Sequence, residues 1–216
     1  MCSFEEIVLH FKAVFRRLSG AKPRETNTEM QFKIPKMHLS EFRNRLYPAA
    51  IGNEREGSRM AIERARAYLR QYGVDGRILE FEVSSATVEL AAQAAGVIPA
   101  RIAKSLSFMT PEGPILVVTA GDMKIDNPKY KAQFHTKAKM LGHAEVEALI
   151  GHGVGGVCPF GIEPGVKVYL DVSMRRFDTV FPACGSANSA IELTCDELEK
   201  IAGNCQGWID VCKAMG

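Results

Sequence analysis

The sequence predicts an α/β (α+β) fold, a single domain around one mixed β-sheet with surrounding helices, preceded by an N-terminal helical extension. Three observations carry this. Strand-like and helix-like segments mix irregularly after residue 58, as in domains with helices packed on one sheet. Hydrophobic residues make up 46% and charged residues 24% of the 216 residues, ordinary values for a chain that buries a core. The character of the sequence also changes near Gly57. Residues 1–57 hold ten positive and seven negative charges, and residues 58–216 hold 17 and 18. The domains are therefore read as a 1–57 extension of unknown role and a 58–216 catalytic or binding domain.

The elements follow in order. Phe4, Ile7, Val8, Phe11, Val14, Phe15 and Leu18 recur at helical spacing, and Gly20 and Pro23 end that helix. Residues 21–57 are polar and broken by Pro23, Pro35, Pro48, Gly52 and Gly57. From Ser58, the residues Ala61, Ala65, Tyr68, Leu69 and Tyr72 share a helical face, with Gly73 past its end. Arg77 to Val83 alternates like a strand. Ser84, Ser85 and Thr87 are cap candidates for a helix running to Ala95, closed by Gly96. Pro99 opens a short helix through Lys104. Ser105–Met109 and Ile115–Thr119 read as strands about a Thr110–Gly113 turn. A lysine-rich helix is expected from Asn127 to about Leu141, and a short one over Ala144–Ile150. Val166–Leu170 and Thr179–Phe181 read as strands. Thr194 and Glu197 make a capping box for a helix to Ala202, and residues 208–215 read as a last helix.

The total charge excludes some classes. Lys+Arg 27 against Asp+Glu 25 gives a formal +2, too little for a basic coat over the whole surface, though a local basic face remains open. The six cysteines form no C-x-x-C pair and no zinc-like grouping with histidine, so no metal and no cofactor is expected. His135, His143 and His152 are too far apart along the chain, and too poor in partners, to suggest a ligand set. No apolar run approaches the roughly 18–20 residues of a membrane span, and the N-terminus lacks the layout of a signal peptide. A cytoplasmic location is expected, with no membrane partner.

The most unusual stretch is Gly151–Gly161, with five glycines in eleven residues. Glycine lets a backbone approach a ligand and turn successive N–H groups inward, which makes a site for an oxyanion or phosphate. The spacing is neither a Walker loop nor a G-x-G-x-x-G fingerprint, and a plain structural turn accounts for it equally well.

Four pieces in order resemble the YbaK/EbsC family, free-standing relatives of the editing domain of bacterial prolyl-tRNA synthetases. They are Arg64–Leu69 with Ser84–Ala95, then Ile102-Ala103-Lys104-Ser105-Leu106, then Gly155 to Pro159 as a G-x-x-x-P loop, and Cys184-Gly185-Ser186 followed by Ala190-Ile191-Glu192-Leu193. The resemblance spans about residues 58–205. It implies a partly barrel-like sheet and a trans-editing activity, the hydrolysis of the ester between a wrong amino acid and tRNA, usually tRNA for proline. The need for such an activity is physical, because a synthetase pocket discriminates one methylene by only ~1–3 kcal/mol.

The same resemblance implies roles for residues. Lys104 would hold the tRNA end or the substrate's polar groups; the plainer reading is a solvated lysine. Gly155, Gly156, Val157, Cys158 and Pro159 would bind the ester carbonyl through backbone N–H groups, with water or a ribose hydroxyl as the attacking or activating group. Phe81, Ser84, Ser85 and Thr87 lie where the family builds a wall of the amino-acid pocket, although a strand end and helix cap also explain them. Gly185, Ser186 and Asn188 replace a Gly-Gly-Lys-Arg-Gly run, and Ala190 stands where some members carry aspartate. Lys124, Lys129, Lys131, Lys137 and Lys139 form a candidate tRNA-binding face, or a merely solvated one. Arg175 and Arg176 are weaker candidates for the same role. The expected partners are mischarged aminoacyl-tRNA and a prolyl-tRNA synthetase, with the chain a monomer or homodimer. Two other readings stay open: a non-catalytic module binding aminoacyl-tRNA or an amino acid, and a thiol hydrolase using Cys158 with His152 or His143 as base.

Overall fold

The computed structural model describes residues 48–83 and 85–215, with side chains from Arg59 onward. The expected helix over Phe4–Leu18 and the cap candidate Ser84 lie outside the described residues. Among the described residues, no helix is long and apolar enough to cross a membrane.

The architecture is mixed α/β. The central strand β3 (Gly113–Ala120) is buried at every position from Ile115 on, as its run of Ile, Leu and Val suggests. It pairs antiparallel with β2 (Ile102–Thr110) through a tight hairpin and parallel with β5 (Lys167–Asp171). With β6 (Thr179–Pro182), β8 (Leu193–Thr194) and β9 (Cys205–Ile209) they make a curled six-stranded sheet, a half-barrel in the order β8-β6-β2-β3-β5-β9. Two small antiparallel pairs flank it. β1 (Ile78–Glu80) joins β7 (Ser189–Ile191), and β4 (Met123–Ile125) joins β10 (Cys212–Ala214).

Each face of the sheet packs its own core. Leu116, Val118 and Ala103 face Ala65 and Leu69 of α1 (Pro48–Arg70), Val146 and Ile150 of α4 (His143–Ile150), and Leu198 and Ile201 of α5 (Cys195–Ile201). Phe108, Ile115 and Val117 face Tyr130 of α3 (Asn127–Phe134), Val211 and Cys212. A third cluster joins Ala92 of α2 (Val88–Ala95) to Ile102 and Phe181. The caps form as the sequence predicts. Thr87 Oγ1 accepts from the Leu90 N–H at 3.2 Å, and Thr194 and Glu197 make a reciprocal box.

Several elements differ from expectation. α1 begins at Pro48 and runs through Gly52 and Gly57, and Tyr72 lies beyond its end and is exposed. The strand over Arg77–Val83 shortens to Ile78–Glu80. The helix expected from Pro99 to Lys104 is a single 3-10 turn, Pro99–Arg101, and Ile102–Lys104 already belong to β2. Pairing with β3 and β6 there outweighs the local preference of Ala and Lys. The lysine-rich helix stops at Phe134, because His135 takes a left-handed φ of 54° and the chain then returns to pair with β2. Residues 208–215 hold the end of β9 and all of β10, not a helix. Trp208 and Ile209 pair with β5, and the Trp, Ile, Val and Cys content suits a half-buried pleat.

Candidate functional site

A cavity of about 430 Å³ opens between α2, β2, α4 and the glycine-rich loop. That is within the roughly 300–1,000 Å³ of ligand pockets. Of the residues singled out from sequence, Lys104, His143, Gly155, Val157, Ser85, Thr87 and Ala190 line it. They come from separate parts of the chain.

Lys104 is the third residue of β2 and half-buried. Its Nζ donates to the carbonyls of Gly121 (3.1 Å) and Met123. An ammonium has three N–H donors, so one remains for a ligand. Burial pulls its pKa below the ordinary lysine value, against the pull of Cys212, Asp122 and Glu89.

The loop divides its residues between two directions. Gly155 (φ 91°) and Val157 face the cavity, and among the described residues neither N–H has a hydrogen-bond partner. Gly156, Cys158 and Pro159 are buried away from it. The Gly156 N–H is used on Gly153 O at 3.0 Å, and the Pro159 carbonyl accepts from Gly203 N–H at 2.8 Å. Cys158 is buried with its Sγ 3.6 Å from both Phe160 O and His152 Nε2, and burial pushes its thiol up to about 12. This is the reverse of an activated nucleophile. His152 is likewise buried, and its pKa is lowered to about 4 by burial. The start of the loop and the residue two past its end are both tied to α1. Arg64 Nη1 bonds Glu163 Oε1 at 2.8 Å and Gly151 O at 3.4 Å.

Phe81, Gly185, Ser186 and Asn188 stand behind the wall rather than in it. The Phe81 N–H donates to Asn188 O at 2.7 Å, and Asn188 Nδ2 donates back to Phe81 O at 3.0 Å. Ser186 Oγ lies 2.8 Å from both Asn188 Oδ1 and Ser189 Oγ. This turn holds β7 in place, and Ser189 and Ala190 of β7 do reach the cavity. The sequence missed Ser105, Ser107, Met140 and Phe181 as cavity residues, while His143, offered there as a base for Cys158, lines the cavity and Cys158 does not. A strand begun at Ile102 would have placed Ser105 and Ser107 on one face.

The five lysines do not share one helix. Lys124 is on β4, Lys129 and Lys131 on α3, and Lys137 and Lys139 on the extended return. Lys129 pairs with Asp210 at 2.7 Å, while the other four are exposed and make no ion pair among the described residues. Arg176 is bound to Asp122 at 2.6 Å, and Arg175 stacks 4.2 Å above Trp208. Among the described residues, no group of three His, Cys, Asp or Glu side chains is arranged to hold a metal.

Comparison with known proteins adds to this geometry. The model of a family described as "Aminoacyl-tRNA editing domain" matches residues 82–201, more than half of the chain. The "Uncharacterized protein YwhH" of Bacillus subtilis is 54% identical over 156 residues, covering 71% of this chain and 98% of that one. A protein of Enterococcus faecalis named "Putative Cys-tRNA(Pro)/Cys-tRNA(Cys) deacylase EbsC" is 28% identical over 133 residues, 60% of this chain and 81% of its own. A solved structure titled "Crystal structure of a putative trans-editing enzyme for prolyl tRNA synthetase" superposes with a TM-score of 0.65 at 27% identity, covering 72% of this chain and 98% of that one.

Proposed function

Because this chain belongs to the aminoacyl-tRNA editing domain family, we propose that it is a trans-editing hydrolase that deacylates mischarged aminoacyl-tRNA in the cytoplasm. The observation that carries the reading is the meeting of Lys104, Gly155 and Val157 at one cavity. In the reaction, water adds to the ester carbonyl and the carbon–oxygen bond to the terminal ribose breaks. The ribose oxygen takes the proton, and the free amino acid leaves. Negative charge grows on the carbonyl oxygen, and the N–H groups at Gly155 and Val157, which have no partner among the described residues, suit it. The remaining Lys104 donor suits a phosphate or hydroxyl of the tRNA end. Buried Cys158 is not a nucleophile in this scheme. The tRNA for proline is the first candidate, supported by the names of the Enterococcus relative and the solved structure.

The test is a panel of tRNA for proline mischarged with Cys, Ala, Ser and Thr. At least one should lose its amino acid faster with the protein than without it, and Lys104→Ala should abolish the gain. An intact panel, or a fully active Lys104→Ala, would refute the reading. Ala190 at the cavity wall favours a second reading, a binding module without turnover, since the family resemblance places an aspartate there in some members. Tight binding of mischarged tRNA with no hydrolysis would select it.

A further inference from the structure

The outer edge of β2 is covered at both ends and open between them. β6 pairs with it through Ile102↔Phe181 and Ala103↔Pro182, then turns away so that Ala183 meets Ala190. Residues 139–141 return antiparallel on the same edge. Phe108 stands opposite Met140, the Met109 N–H donates to Lys139 O at 2.9 Å, and the Leu141 N–H donates to Ser107 O at 3.1 Å. Ser105 lies in the stretch between.

The direction of its main chain follows from register. β2 pairs with β3 without a break from Ala103 to Thr110, so its N–H and C=O groups alternate regularly between the two edges. The Ser107 carbonyl and Met109 N–H point outward, and therefore so do the N–H and C=O of Ser105. No described residue pairs with Ser105 on that edge. With Phe108 opposite Met140, a continued segment would set His143 opposite Ser105. Instead the chain turns at Gly142 into α4, and His143 becomes its first residue. The cavity meets this edge. Ala103, Lys104, Ser105, Leu106 and Ser107 all line it. Successive side chains of a strand point to opposite faces, so a cavity touching all five wraps the strand's edge.

We propose that this open edge at Ser105 holds the aminoacyl group of the substrate as if it were a one-residue strand. The proposal rests on the deacylase reading for its substrate and adds how that substrate is recognised. An α-aminoacyl ester carries the same N–Cα–C=O unit as a strand residue. In a hydrogen-bonded antiparallel pair, two residues exchange both N–H···O bonds. Here the α-ammonium of the acyl group donates to the Ser105 carbonyl, and the Ser105 N–H donates to the ester carbonyl. The first bond selects acyl groups that carry an α-amine. The second sets a fixed donor on the oxygen that becomes negative as water adds, joining those at Gly155 and Val157. It is the sheet-edge mode of peptide binding reduced to one residue, with main-chain groups giving the affinity.

Two measurements test it. In the first, Ser105 is replaced by its α-hydroxy counterpart, so that its N–H gives way to an ester oxygen while its own carbonyl stays. Deacylation should fall by roughly 10²–10³-fold in kcat while the circular dichroism spectrum is retained. A folded variant as fast as the parent overturns the proposal. The second does not need turnover. An aminoacyl-adenosine with an amide in place of the ester should shift the Ser105 amide resonance and slow its hydrogen exchange, and the deamino analogue should bind more weakly. Equal binding of the two, binding that leaves the Ser105 amide unchanged, or no binding overturns it. A protein that shows the Ser105 signature yet hydrolyses no mischarged tRNA would instead overturn the deacylase reading alone.

Discussion

Gly156 and Gly185 meet backbone to backbone. The Gly185 N–H donates to the Gly156 carbonyl at 3.1 Å, and a Cβ on Gly156 would fall 2.5 Å from the carbonyl carbon and oxygen of Gly185. Gly185 in turn sits against Ala61 of α1, where its own Cβ would lie 2.4 Å from the Ala61 carbonyl. The glycine-rich loop, the turn before β7 and α1 are thus stacked with no room for a methyl group. Gly156→Ala is expected to cost about 1–3 kcal/mol, because backbone must shift on both sides. It should also displace Gly155 and Val157 and lower deacylation. Gly153→Ala is the control, since its Cβ would meet nothing within 4 Å. Thermal melts of the two variants check this, and equal melting temperatures would refute the stacking argument.

His152 gives the loop a pH dependence. Its Nε2 lies 2.8 Å from the Phe160 carbonyl and so carries the proton, leaving Nδ1 buried with no partner among the described residues. Burial lowers its pKa from 6.5 to about 4. The unfolded chain therefore takes up a proton near pH 6.5 that the folded chain refuses until about pH 4. Stability contributed at neutral pH is lost as pH falls through that window, by at most on the order of 3 kcal/mol. Urea unfolding at pH 7.5 and pH 5 should show the loss in the parent and a smaller one in His152→Gln. An equal loss in both would place the pH sensitivity elsewhere.

Cys158 should be chemically silent. Its thiol is fully buried, bonded toward Phe160 O and pushed up to about 12. Cys158→Ala is expected to keep its catalytic rate and lose only modest stability from the small cavity. In the native protein, iodoacetamide at pH 8 should leave Cys158 unmodified, as mass spectrometry would show. Loss of turnover in a folded Cys158→Ala would restore the thiol mechanism.

The parts of this molecule that are readable in its sequence are those set by local chemistry. Thr87, Thr194 with Glu197, and Gly96 announce helix ends because a side-chain oxygen or a left-handed glycine acts within four residues. Lys104, Gly155 and Val157 are readable through family resemblance, and they do meet at one cavity. Pairing across the sheet is not readable. Ile102–Lys104 and residues 208–215 look helical until β3, β5 and β6 supply partners distant in sequence. The open edge at Ser105 depends on where β6 departs and where residues 139–141 arrive. Neither is a property of the Ser105 neighbourhood in the chain.

The lysines make the last prediction. Lys131, Lys137 and Lys139 are exposed, follow one another from α3 along the extended return, and make no ion pair among the described residues. Lys129 is held by Asp210 at 2.7 Å and by the Cys212 carbonyl at 3.3 Å. A phosphate can recruit the free lysines without breaking a bond within the protein, but it must compete with Asp210 for Lys129. Charge reversal at Lys131, Lys137 or Lys139 should weaken tRNA binding to a similar degree for correctly and wrongly charged tRNA, because a phosphate carries no information about the amino acid. Each should also reduce the slope of log affinity against log salt by about 0.7–0.9 for every phosphate no longer neutralised. Lys129→Ala should change that slope least. Titrations at several salt concentrations decide the matter. A slope that none of the four variants alters would move the tRNA-binding surface to another face of the molecule.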